Sequence, residues 1–316
     1  MPRAAFIVVR DALRAHHHHL SAHVTIAACL ALASALAFAV ATVAQQRAAA
    51  QVSDAHARSG RLVIQLARDP RWWAGTLGTG VGYALQAVAL AFGSLLVVQP
   101  MLVTSLLFAL PLGARLAHQR LPRAVWVWGV VLAASLAVFV SLGNANRGAS
   151  HLSREGWLVL AAAGIPLVAA CLIGAARLHG ARRASLLAVA VGLLGGVLAL
   201  LTKAVVGLVQ HQGLAGLWSV EALALLVVGG AGIYVQQLSF QAAALQASLP
   251  IILVLEPVVA AVLGLTLLHE QLRVSGLRLA VLLVAVLAMT LATVALARGE
   301  ARVAGEGVKV PVGSNT

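Results

Sequence analysis

The sequence predicts an all-α polytopic membrane protein of nine transmembrane helices, and three observations carry that prediction. Of its 316 residues 61% are hydrophobic and 10% charged, with a mean hydropathy of +0.96; a soluble domain carries roughly 25% charged residues. The apolar residues are gathered in runs that reach the roughly 20 residues a helix needs to cross the hydrocarbon core. Charges, Gly and Pro bound those runs. The apolar positions suffice for about eight to ten such helices and leave little for a water-soluble domain. Most soluble enzymes, nucleic-acid-binding modules and disordered chains are thereby excluded.

The helices are placed at 21–44, 72–93, 95–117, 123–142, 155–177, 184–209, 219–241, 244–268 and 275–298. The first follows Arg3, Arg10 and Arg14, as a signal peptide would, but the apolar stretch Val24 to Ala44 exceeds the usual 7 to 15 residues of a signal core, so a retained helix is preferred. The divisions near Gly93 to Ser94 and Ala242 to Ala244 carry no charge and rest on length, since about 45 apolar residues must make two passes. Residues 45–71 form the longest loop, in which Arg61 to Arg68 mixes apolar and basic residues as a membrane-surface segment does. The organisation is therefore a tail over 1–20, a four-helix unit over 21–142 with the basic 45–71 loop, a five-helix unit over 155–298 and a flexible C-terminal tail over 299–316.

The formal charge is +13, but its basic residues are scattered between apolar segments rather than gathered into a nucleic-acid-binding patch. They suit loops that meet anionic lipid and set orientation. Counted by loop, 14 Lys and Arg fall on one side and 7 on the other, and the richer side holds the C-terminus. The positive-inside rule then orients the chain N-out and C-in. Arg outnumbers Lys by 20 to 2 and Ala is abundant, which reads as the codon bias of a GC-rich bacterial genome and points to a bacterial inner membrane. Cys29 and Cys171 both lie in apolar segments, with no disulfide, redox or zinc spacing.

Residues 80–100 and 230–250 repeat at a constant offset of 150, pairing Gly80 with Gly230, Gly82 with Gly232, Gln86 with Gln236 and Pro100 with Pro250. A one-residue slip then pairs His118 with His269 and Leu121 with Leu272. The matched helices are the second and the seventh, an odd separation, so they cross in opposite directions. This is the pattern of an inverted-topology repeat, four plus five, in which a central site opens alternately to either side; a duplication kept only for folding is the other reading.

The stretch Leu255-Glu-Pro-Val-Val-Ala-Ala-Val-Leu-Gly-Leu-Thr-Leu-Leu-His-Glu-Gln-Leu272 resembles the ninth-helix signature of EamA-type proteins of the drug/metabolite transporter (DMT) superfamily, with Glu270 as its terminal acidic residue. Gln99-Pro100 through Leu121 is its diverged counterpart, with Gln119 and Arg120 where the acidic residue usually stands. Arg71-Trp-Trp-Ala-Gly75, Gly82 to Leu90 and Val98-Gln-Pro100 are similar to the NIPA-type branch, whose members are described as magnesium transporters. The resemblance covers roughly residues 20–298. It implies a DMT-like bundle and transport; the superfamily's usual count is ten helices, five plus five, and the 45–71 loop stands where the tenth would be.

No P-loop, nucleophile elbow, His-Glu-x-x-His pair or paired-Cys motif occurs, so neither ATP hydrolysis nor an enzyme reading has support, and no cofactor, catalytic residue or metal ligand set is assigned. Glu256 is the sharpest feature. It lies mid-helix, where an ionisable side chain costs about 2.5 to 3.5 kcal/mol on insertion scales, and serves either as a proton-coupling or cation-binding carboxylate or as a protonated, hydrogen-bonded packing group. Pro100, Pro250 and Pro257 are helix-break positions that free carbonyls, tolerated beside a cavity or polar neighbour. Lys203 either snorkels to the outer interface or enters the cavity, where Glu256 is a candidate partner. Gln86 and Gln236, with Gln237 and Gln241 nearby, either line a polar path or bridge helices; Tyr83 and Tyr234 either stack on a substrate or pack. Gly78 with Gly82, and Gly192 with Gly196, have the spacing of close helix packing. The run His16 to His19 with His23 is read as a solvated cluster before a metal site, and the Trp residues as an interfacial belt.

The leading expectation is a secondary transporter of a small polar or amphipathic metabolite working by alternating access, coupled to a proton or cation, in contact with membrane lipid. A NIPA-like magnesium transporter and a non-transporting scaffold that binds lipid or a partner protein stand behind it, and a homodimer or a membrane partner is compatible with each. Topology is checked by cysteine labelling: Gln212→Cys should react with an impermeant reagent from outside and Gly180→Cys only from inside, and the reverse pattern overturns the orientation.

Overall fold

The structure, a computed structural model, describes residues 25–44, 70–116, 120–143, 148–149, 151–242, 245–272 and 274–306. The His16 to His19 and His23 cluster, the Arg61 to Arg68 segment and the tail beyond 306 lie outside the described residues.

The described chain is a helical bundle. Helix α1 (Thr25–Ala44) is followed by α2 (Pro70–Phe92), a third span in two pieces, α3 (Leu95–Leu102) and α4 (Ser105–Leu116), and α5 (Arg123–Gly143). The second half contains α6 (Arg154–Ala176), α7 (Gly180–Gln212) with a 3-10 turn Gly213–Trp218, α8 (Val220–Ala242), α9 (Leu245–Leu267) and α10 (Leu277–Glu306). Among the described residues, eight helices are long and apolar enough to cross a membrane, and α8 adds the shorter apolar stretch Val220–Gln236. Every span expected from the apolar runs has its helix, and the uncharged division after Phe92 falls where length placed it, whereas residues 243–244 of the other division lie outside the described residues. The last helix continues to Glu306, into the segment expected as a tail; Ala, Arg and Glu there are good helix formers.

The surface is that of a protein made for lipid. Leu77, Val130, Ile165 and Leu226 are among the large apolar side chains turned outward, while Gln86, Gln99, Lys203 and Glu270 are buried. So much exposed apolar area would associate in water and is at rest against acyl chains. Trp73, Trp126, Trp128 and Trp218 are exposed near helix ends, where an aromatic belt sits.

The core is organised on α7, which packs along α9 and α8. Its glycines make that contact close. A Cβ on Gly192 would lie 2.7 Å from Leu255 Cβ, and one on Gly196 2.5 Å from Val259 Cγ1 and 2.9 Å from the Ala260 nitrogen. Between them, Gly195 lies under the Glu256 carboxyl. Without a hydrophobic drive between helices in lipid, such backbone approach supplies the van der Waals contact that holds them. In the first half, Gly78 meets Ala41 and Gly82 meets Phe38, and Ser34 Oγ donates to the Gly82 carbonyl at 2.7 Å.

Two spans depart from the continuous helices expected, and prolines lie at both. The 95–117 span is interrupted at Val103–Thr104, where the backbone tightens: Val103 N–H donates to the Pro100 carbonyl, Thr104 N–H to Met101 and Leu106 N–H to Val103. Pro100 and Pro111 lack the donors that would bond Leu96 and Leu107, and Thr104 Oγ1 takes up the Met101 carbonyl at 2.6 Å. In α6 the turn Leu160–Gly164 is π-helical, just before Pro166, whose missing N–H releases the ladder to a wider register. By contrast, Pro250 and Pro257 do not break their helix as expected, and Pro100 lies inside α3, before the interruption. Helix α9 runs unbroken through both of its prolines and packs closely along α7.

The seam makes a stability prediction. Gly196→Leu should overpack the α7 and α9 contact and lower stability by about 1 to 3 kcal/mol. Gly230, on α8, has nothing within 4 Å of an added Cβ, so Gly230→Ala should be neutral or stabilising by about 0.5 to 1 kcal/mol. Thermal unfolding in one detergent checks both.

Candidate functional site

A cavity of about 190 Å³ opens where α1, α2, the α3 to α4 interruption and α9 meet. Glu256 and Pro257 approach it from α9, Tyr83 and Gln86 from α2, Gln99 from α3, and Ser105 from the first residue of α4. Glu256 stands near the middle of α9, and the interruption near the middle of its span, so the cavity lies at about half depth. Pro100 and Pro111 flank the interruption, and Pro257 removes the N–H that would bond the Leu253 carbonyl; Leu253 also lines the cavity. Phe38 meets the Tyr83 ring edge-on, centroids 5.0 Å apart at 79°. Gln99 is 2% exposed and its Nε2 has no acceptor among the described residues. The lining contains one carboxylate and no Lys, Arg or His.

Three of the expected path residues, Glu256, Gln86 and Tyr83, are thus brought together, with Pro257 beside them. Three are not. Tyr234 is 66% exposed on the outer surface of α8, and Gln236 is half-buried on the same helix; neither lines the cavity. Lys203 is neither at an interface nor beside Glu256 but buried in an ion pair with Glu270. Gln99 was legible only as part of a family motif, and Phe38, Thr42 and Ser105 had no signal in sequence, because the interruption that gathers them is itself a tertiary feature.

The Glu270 site is a second polar centre. One carboxylate oxygen accepts from Lys203 Nζ and from the Leu95 N–H at 2.8 Å, the other from the Leu96 N–H at 3.1 Å. The carboxylate therefore caps the α3 N-terminus, a position at which Ser94 makes no side-chain cap and where negative charge is favourable. Glu270 reaches it because the chain turns sharply after α9: His269 takes a φ of 52°, and Glu270 N–H returns to the Gly264 carbonyl at 2.9 Å. Gly148, at a φ of 61°, lies against Leu268 and Glu270 where a side chain would collide, and Ala149 N–H donates to the Leu268 carbonyl. A separate hollow near the end of α7 is lined by His151, His211 and Gln212. Among the described residues no three His, Cys, Asp or Glu side chains gather as a metal site, and both cysteines are free.

No protein-family profile matches the chain. No solved structure matches it. An uncharacterized protein of Corynebacterium glutamicum is 37% identical over 284 residues, spanning 89% of this chain and 97% of that one. The chain belongs to the same family as that protein.

Removing one member of a buried pair strands the other, at a cost of about 3 to 5 kcal/mol. Lys203→Met and Glu270→Gln should each destabilise on that scale, whereas the double variant should lose less than the sum of the two. A double-mutant cycle on thermal unfolding measures this, and strict additivity contradicts a coupled pair.

Proposed function

We propose that the chain is a secondary transporter that moves a small polar or amphipathic solute across the membrane by alternating access. The observation that carries the reading is the half-depth cavity in which Glu256, Tyr83, Gln86 and Gln99 converge on an interrupted helix. Ionisable groups are kept inside a membrane bundle at a cost and mark solute or ion paths. Interrupted helices beside a polar cavity are how transporters expose backbone groups to a solute. The offset-150 repeat supports an inverted four-plus-five architecture, in which one half rocks against the other around that cavity. The likeness of the Leu255 to Leu272 stretch to EamA-type DMT proteins supports the same assignment, as part of this proposal.

The charge distribution supports residence in a bacterial inner membrane, N-terminus outside and C-terminus within. Nothing in the cavity resembles a nucleophile with its base, so the chain is read as moving its solute unchanged. A NIPA-like magnesium path fits less well: magnesium is held through carboxylates and retained waters, and the cavity offers one carboxylate.

Reconstituted vesicles test the proposal. Uptake from a panel of organic solutes under an imposed pH gradient should occur with the wild-type chain and fall at least about tenfold in Glu256→Gln. Magnesium flux in place of solute flux would favour the divalent-cation reading. A chain that moves nothing yet copurifies with one membrane partner is a scaffold.

A further inference from the structure

We propose that the Glu256 cavity binds a small organic ammonium ion with an uncharged hydrogen-bond acceptor, such as a hydroxyl, at its other end; this rests on the transporter reading for its purpose but not for its chemistry. The lining supplies one carboxyl group, that of Glu256, and no basic side chain. The nearest intramembrane cation identified by sequence, Lys203, is engaged by Glu270 instead. An ammonium brought to Glu256 restores neutrality and donates to the carboxylate, and charge-assisted bonds of that type are the strong ones. The Tyr83 ring, steadied edge-on by Phe38, adds an aromatic face to which a cation is drawn. Gln86 and Leu253 also line the space, and the Leu253 carbonyl is one that Pro257 leaves without its helical donor.

The second half of the ligand follows from Gln99. Its Nε2 is a buried donor with no acceptor among the described residues, and a buried donor left unmade is costly. A ligand that accepts from Gln99 removes that cost. An anionic acceptor is disfavoured, because the cavity is small and contains Glu256 with no compensating base. A cavity of about 190 Å³ suits a short-chain ligand. A magnesium ion would remain undercompensated by a single carboxylate and would have to give up waters it holds tightly.

The test is calorimetric titration of the full chain in nanodiscs with a matched series: 4-aminobutan-1-ol, butane-1,4-diol, 4-hydroxybutyrate, pentylamine and magnesium chloride. The amino alcohol should bind about ten- to a hundredfold more tightly than the diol or the hydroxy acid, as expected for one charge-assisted hydrogen bond. Glu256→Asp should keep that preference and Glu256→Gln abolish it; Gln99→Leu should abolish the preference for the amino alcohol over pentylamine. Equal or tighter binding of the diol, the acid or magnesium by the wild-type chain overturns the proposal, and so does binding of none of the series. Vesicle flux separates the two readings. Flux of neutral or anionic solutes without ammonium binding leaves a transporter whose solute class is wrong, whereas ammonium binding without flux of any solute leaves the site and removes transport.

Discussion

A single carboxylate, that of Glu270, holds together parts of the chain that no local rule would join. It accepts from the first two N–H groups of α3 and from Lys203 of α7, and its own backbone is fastened to α9 through Gly264. An unpaired charge at such a place would be intolerable, and the lone N-terminus of a buried eight-residue helix would be nearly so. Each cancels the other's cost. Because α3 is anchored at Leu95, Gln99 one turn on and the interruption at Val103–Thr104 are held in place, and with them one wall of the cavity. The cavity depends on a polar centre that it does not contain.

The two intramembrane acids of the second half therefore have separate roles, although sequence alone offered Lys203 only Glu256. Glu270 is saturated by partners and behaves as a structural element. Glu256 lies a few turns away over Gly195, in a cavity with no base among its lining residues. What distinguishes them is not depth in the sequence but which one the turn at His269 carries into reach of Lys203. That turn, with a positive φ at a non-glycine residue, leaves no mark in hydropathy.

Most of the fold was legible because a lipid-facing helix must declare itself as an apolar run, and each of the runs became a helix. The interruption of the third span was less legible. Its prolines were visible, but Pro250 and Pro257 in α9 carried the same signal and left their helix whole; α9 packs on the α7 glycines, a contact that a single run cannot reveal. The pairing of Lys203 was missed for a related reason, since Lys203 and Glu270 are 67 positions apart. The offset of 150 in sequence served the site only in part: Gln86 lines the cavity and Gln236, its match, does not, because a sequence match specifies neither depth nor face.

The glycine stripe of α7 has a mechanical consequence. Where helices interlock by side chains, axial displacement must lift knobs out of holes, and each step costs a set of rotamers. At Gly192, Gly195 and Gly196 the α9 side chains rest on bare backbone, so the seam presents no ridges to climb. The seam is tight across its width, and the residue seated on its middle glycine is Glu256.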